Sequence, residues 1–232
     1  MNKPRPRNKT IYEIALLMAA LAVNFIPLNS GQAFSRPQSL HNNVPFTLQA
    51  PLRDWSDPRQ MDGCEEASIA MAMAWARGDN PYVPEEEFLR DIVNMSEYER
   101  VIFGFYQDTS AQDTARVMKE FYRHDNLFVL EHVTSDDIKL ELANNRLVII
   151  PLNVRLTGMP IYHNGPIRHT ILAIGYDDTT NEIIIHDPYY ASAKNLRIPA
   201  AALDKALWNY SSGVHKPLPD RTTALISVGK SL

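Results

Sequence analysis

Residues 62–78 read DGCEEASIAMAMAWARG and contain the only cysteine of the 232-residue chain. The stretch predicts one helix with a marked start and stop. Asp62 is a good N-cap, Glu65 three residues on completes a capping-box pattern, and Gly78 stands where a left-handed C-cap belongs. Between them Ile69, Met71, Met73, Trp75 and the alternating alanines leave almost no polar face. A helix that is apolar nearly all round is a buried helix. Cys64 therefore falls in the first turn of a central helix, where unpaired N–H groups and the macrodipole favour a thiolate. Glu65 and Glu66 oppose that charge. At helical spacing Glu65 points about 100° away from Cys64, so the helix end is expected to win.

The N-terminus bears on how that cysteine is read. Lys3, Arg5, Arg7 and Lys9 precede an apolar run over residues 14–26, and Gly31-Gln32-Ala33 is a small-x-small cleavage pattern. Residues 1–33 are expected to be a signal peptide. The apolar run is short for a membrane span, which needs about 20 residues; an uncleaved anchor is the alternative. Cleavage removes four basic residues and Glu13, taking the formal net charge from -4 to -7. Such a charge argues against nucleic acid or an anionic membrane as partner. Export implies an oxidising compartment, where a lone thiol is a liability unless buried, paired with another chain, or used.

Residues 34–43 are polar and expected to be a flexible lead-in to one domain over residues 44–232. Residues 44–52, VPFTLQAPL, suggest a strand or extended segment, and Ser56-Asp57-Pro58 has turn chemistry. Pro84 with Glu85-Glu86-Glu87 opens a second helix, and Asp108 or Thr109 caps a third through Tyr122. Strands are expected over residues 128–133, 147–152, 168–176, 182–187 and 222–228, with short helices from Thr134 to Leu142 and Leu203 to Trp208. Helices come first and strands dominate the second half. That segregation indicates an α+β fold with a largely antiparallel sheet.

Two of those strands carry the remaining chemistry. RHTILAIGY over 168–176 puts His169, Ile171, Ala173 and Gly175 on one face, and EIIIHD over 182–187 does the same for Ile183, Ile185 and Asp187. A hairpin centred on Asp178 would set His169 directly opposite Asp187, about 5 Å apart at Cβ. A shift of two residues in pairing would leave them diagonal and still within reach. A thiol at a helix N-terminus, an imidazole and a carboxylate make a nucleophile, a base and an orienter. The Cys64 N–H and a side-chain amide such as Gln60 would bind an oxyanion. His186 faces away from Asp187 and reads as structural; His163, in the Gly/Pro loop before His169, could line a cleft. Spacing for a metal site is lacking, and no metal or cofactor is expected.

The segments DGCEEASIAMAMAWARG, GPIRHTILAIGYDD and EIIIHDPYY, in that order, resemble papain-like cysteine peptidases related to the bacteriocin-leader-processing family, the thirty-ninth cysteine peptidase family with its stand-alone relatives. The resemblance covers roughly residues 44–190. It implies a papain-like fold, with an N-terminal helical part whose nucleophile helix packs on the sheet. Residue by residue, it implies Cys64 as nucleophile, His169 as base and Asp187 as third member. An oxyanion glutamine in such enzymes typically lies about six or more residues before the cysteine. Gln60 is only four before, and Gln49 is the other candidate.

The leading expectation is an exported thiol hydrolase that cleaves peptide or amide bonds through an acyl-enzyme, with a peptide or protein substrate. An acyl transferase of the transpeptidase or transglutaminase kind uses the same chemistry. The competing class is a non-catalytic binding module with Cys64 buried and inert. Oligomeric state is not legible in the sequence.

Overall fold

The computed structural model describes residues 36–78 and 82–231. The expected signal peptide lies outside the described residues. Among the described residues no helix is long and apolar enough to cross a membrane.

Among the described residues seven strands make one sheet in which every pairing is antiparallel: β1 (Ser39–His41), β2 (Leu127–Glu131), β3 (Leu147–Leu152), β4 (His169–Asp177), β5 (Glu182–His186), β6 (Lys194–Pro199) and β7 (Ala224–Val228). Their order is β2-β7-β3-β4-β5-β6, with β1 also bonded to β4. β3 pairs with residues 169–173 of β4, and β1 continues that edge along residues 175–177. β3 and β4 read as near-continuous apolar runs because both faces are covered. Helix α2 (Cys64–Ala76) packs on β4 and β3, as does α5 (Ser135–Ala143). Around them stand α1 (Pro58–Met61), α3 (Glu85–Phe103), α4 (Ala111–Tyr122) and α6 (Ala200–Ala206). The fold is α+β, as the order of helices and strands indicates.

Every residue of α2 is buried, including Glu65, Glu66 and Ser68. Its start differs from expectation. Asp57 caps a short helix, α1, by accepting from the Arg59 N–H, with Pro58 in its first turn. Asp62 ends α1 instead of starting α2, and Gly63 is the N-cap without a side-chain bond. A Cβ on Gly63 would lie 2.7 Å from the Arg59 carbonyl oxygen, so only glycine lets the chain pass from one helix into the next at this spacing. The expected capping box therefore does not form, and Glu65 is left to bond elsewhere. Gly78 does take the left-handed conformation, at φ +76°.

The described part of the expected flexible lead-in, residues 36–43, is an ordered edge of the sheet. Arg36 and Lys139 both bind Asp178, at 2.9 and 2.6 Å, and the Tyr176 hydroxyl donates to the Pro37 carbonyl. β1 reaches β4 where Gly175 stands; a Cβ there would lie 2.3 Å from the Leu40 carbonyl oxygen. Residues 44–52 form no strand; they are a largely buried segment that ends in a turn, tied to the hairpin by the Gln49 N–H to Pro188 carbonyl bond at 2.8 Å.

Candidate active site

The β4–β5 hairpin turns over residues 178–181, beyond the expected centre, and Ile174 is an extra residue between the pairs Ala173↔Ile185 and Gly175↔Ile184. Toward the site Leu172 faces His186. That is two residues off the pairing that would oppose His169 and Asp187 directly. Asp187 follows the last residue of β5 as the diagonal neighbour of His169. The two still meet: His169 Nε2 lies 2.8 Å from Asp187 Oδ1, and both side chains are buried.

Asp187 is fixed from three sides. Oδ1 also accepts from the Tyr189 N–H at 2.8 Å, and Oδ2 accepts from the Tyr162 hydroxyl at 2.6 Å. Burial acts to raise its pKa, but the His169 charge and these hydrogen bonds outweigh it and hold the carboxyl below its ordinary value. An ionised carboxylate only accepts, so Nε2 of His169 carries a proton; in the neutral ring Nδ1 is then the basic nitrogen. Aromatic rings pack round the pair: Tyr189 meets His169 edge-on at 6.2 Å and Trp55 at 5.4 Å. Tyr162 was not legible as a site residue, because nothing in its Gly/Pro loop signals that its hydroxyl reaches Asp187.

His169 and Cys64 line one cleft of about 280 Å³. Arg155, Arg168, Asp62 and Asp108 give its walls charge of both signs, and Met61 and Ile167 add apolar surface. Arg155 and Arg168 thus face the cleft. His163 is exposed and is not among its lining residues. His186 is held away from it by backbone: its Nε2 lies 3.2 Å from the Val44 carbonyl, and its Nδ1 accepts from the Asn195 N–H at 3.2 Å.

Gln60 is buried and is not a lining residue; its carbonyl accepts from the side chain of Gln49. Gln49 is the side-chain amide in the cleft wall, with Nε2 bonded to the carbonyls of Gln60 at 3.0 Å and Met61 at 2.6 Å. Short α1 fills the interval between Gln49 and Cys64 and leaves the glutamine more distant in sequence in the cleft wall.

The electrostatics of Cys64 also differ from expectation. Its Sγ donates to Glu65 Oε2 at 3.0 Å. Burial, the Glu65 carboxylate and Glu66 push the thiol well above its ordinary pKa. The expected 100° separation describes Cα–Cβ directions, whereas a long glutamate side chain without its capping role can curl back to the neighbouring sulfur.

The Peptidase_C39 like family matches residues 41–216. Among solved structures, a C39-like peptidase from Bacillus anthracis superposes with a TM-score of 0.52 at 18% identity, covering 83% of this chain and 98% of the other. Xylellain, a cysteine protease from Xylella fastidiosa, gives 0.43 at 12% identity over 85% and 88%, a likeness too loose to add to the assignment. No curated protein matches the chain. The family match spans most of the sequence, the solved neighbour shares its sheet-and-helix frame, and the chain therefore belongs to the Peptidase_C39 like family, a cysteine peptidase of papain-like fold.

Proposed function

We propose that the chain hydrolyses peptide bonds of peptide or protein substrates through an acyl-enzyme on Cys64, with His169 as base and Asp187 as orienter. The observation that carries this reading is the 2.8 Å His169–Asp187 bond in a cleft that Cys64 also lines. With Nε2 committed to Asp187, Nδ1 takes the thiol proton as sulfur attacks the substrate carbonyl carbon. The same proton passes from the imidazolium to the departing amine, leaving a thioester that water hydrolyses. A peptide library digested by wild type and by Cys64→Ala tests this, with mass spectrometry as readout. Cleavage by wild type and none by the variant is the expected result; equal cleavage by both refutes it.

For the oxyanion we assign the Cys64 N–H, which the helix start leaves without an intrahelical acceptor, and the side chain of Gln49, one N–H turning from Met61 toward substrate. Gln49→Ala is expected to lower kcat about 10²–10³-fold, the usual cost of one such donor. Gln60→Ala is expected to leave kcat within about tenfold, because only its backbone carbonyl serves the site.

We also propose export, on the sequence pattern of residues 1–33 alone. The mature N-terminus, read by mass spectrometry from the extracytoplasmic fraction, is expected to be Phe34. An intact Met1 would favour the uncleaved anchor.

A further inference from the structure

The Cys64 thiol sits in a buried chain of side chains that the acyl transfer above does not use. Sγ donates to Glu65 Oε2 at 3.0 Å, and Glu65 Oε1 accepts from the Tyr210 hydroxyl at 2.7 Å. That hydroxyl lies 2.8 Å from Thr170 Oγ1, one residue after His169 on β4. The Thr170 carbonyl in turn accepts from Ser68 Oγ of α2 at 3.3 Å. Cys64, Glu65, Thr170 and Tyr210 are each more than nine-tenths buried. Both oxygens of Glu65 are acceptors in this arrangement, which is the bonding of a carboxylate and not of a carboxylic acid. A thiol hydrogen-bonded to a carboxylate keeps its proton on sulfur.

We propose that Glu65 is a positioning residue that holds Cys64 as a neutral thiol in the resting enzyme, and that substrate entering the cleft breaks the Cys64–Glu65 bond and frees the sulfur for His169. The proposal rests on Cys64 being the nucleophile. At rest no covalent bond changes. During acylation the thiol proton moves to His169 and then to the leaving amine, while Glu65 remains a carboxylate bonded to Tyr210. Burial and the charge of Asp108, in the loop after α3, raise the Glu65 pKa, while the bonds from Cys64 and Tyr210 oppose that rise. Glu66 on α2 and Glu99 on α3 are pushed well above the ordinary carboxyl range by burial and by the neighbouring carboxyls, so they give up their charge before Glu65 does. Burial and Glu65 together keep the thiol well above its ordinary range. Neutral thiols react slowly with oxidants and alkylating agents, so the cysteine is shielded between turnovers.

With a single cysteine in the chain, thiol chemistry reports on Cys64 alone. Iodoacetamide alkylation is followed against pH for wild type and Glu65→Gln, together with thiolate ultraviolet absorbance referenced to Cys64→Ser. Glutamine keeps an oxygen for the Tyr210 hydroxyl and removes only the charge. The expected result is a wild-type titration midpoint above that of free cysteine, lowered in Glu65→Gln by at least one pH unit. Alkylation at neutral pH then rises about tenfold. A midpoint unmoved by the substitution overturns the proposal, as does a wild-type thiolate at neutral pH. Should Glu65→Gln fail to fold, the infrared S–H stretch of wild type decides. A hydrogen-bonded band absent from Cys64→Ser supports the proposal, and no band refutes it. These measurements read the sulfur without turnover, so their failure is separate from peptide hydrolysis that survives Cys64→Ala.

Discussion

Asp187→Ala is expected to lower kcat/KM about 10³-fold or more, the scale seen when the third member of such a triad no longer fixes the base. The physical cause is specific to the bonds at this carboxylate. Its removal frees the His169 ring to rotate and lets the proton move to Nδ1, the nitrogen needed as base. It also orphans the Nε2–H of His169, the Tyr162 hydroxyl and the Tyr189 N–H, which all point into a buried space. Each orphaned donor costs about 1–3 kcal/mol where water cannot reach it, so a fall in stability accompanies the fall in rate. Asp187→Asn separates the two roles. Its amide oxygen can keep both His169 and Tyr189 as donors, while its NH₂ meets the Tyr162 oxygen, which can accept. The Asn variant is therefore expected to retain more activity than the Ala variant, as a third member that orients the base without charge. Steady-state kinetics and urea unfolding of both variants check this; an Asn variant as damaged as the Ala variant would show that charge, and not orientation, is what Asp187 supplies.

Stability is expected to fall by roughly 3 kcal/mol on acidification because of His186. Its Nδ1 accepts from the Asn195 N–H, so the ring cannot take a second proton without losing that bond and facing another N–H. Burial lowers its pKa from 6.5 to about 4. The unfolded chain binds the proton as pH drops through 6.5 and the folded chain does not, so the unfolded state gains. The contribution is fully present above about pH 6.5 and is lost by about pH 4. Glu66 and Glu99 act with the opposite sign, since burial raises their pKa values. Their stabilisation is complete below the ordinary carboxyl pKa and fades as pH rises. The difference between wild type and His186→Asn therefore isolates the histidine. Urea unfolding across this range is expected to give a shallower decline for the variant; parallel curves would contradict the burial account.

The sequence was most legible where pattern and burial agree. β3 falls on Leu147–Leu152 as read, because an all-apolar run between turn residues leaves little freedom in placing its ends. The central helix followed from its lack of a polar face, although its first turn did not, since Asp62 serves the preceding helix. His169 and Asp187 could be paired before the bulge at Ile174 was known because an imidazole and a carboxylate tolerate a diagonal register. Two outlying strands, β1 and β6, were missed for a common reason. Both expose most of their residues, so each offers only one or two apolar positions from which an alternation could be read. Residues 44–52 show the converse: they have the alternation and are buried, yet join no ladder. The partners of the thiol were the least legible part. Glu65 was visible as a neighbour in sequence, but its contacts with Tyr210, 145 residues away, depend on the whole fold.

The central claim, a nucleophilic Cys64 served by His169, is tested most directly by intact mass measurement of the enzyme quenched during turnover of an activated peptide ester. The account predicts a thioester adduct of the acyl mass, mapped to Cys64 and lost in both Cys64→Ala and His169→Ala. Turnover by Cys64→Ala at the wild-type rate, or an acyl adduct on another residue, would contradict it.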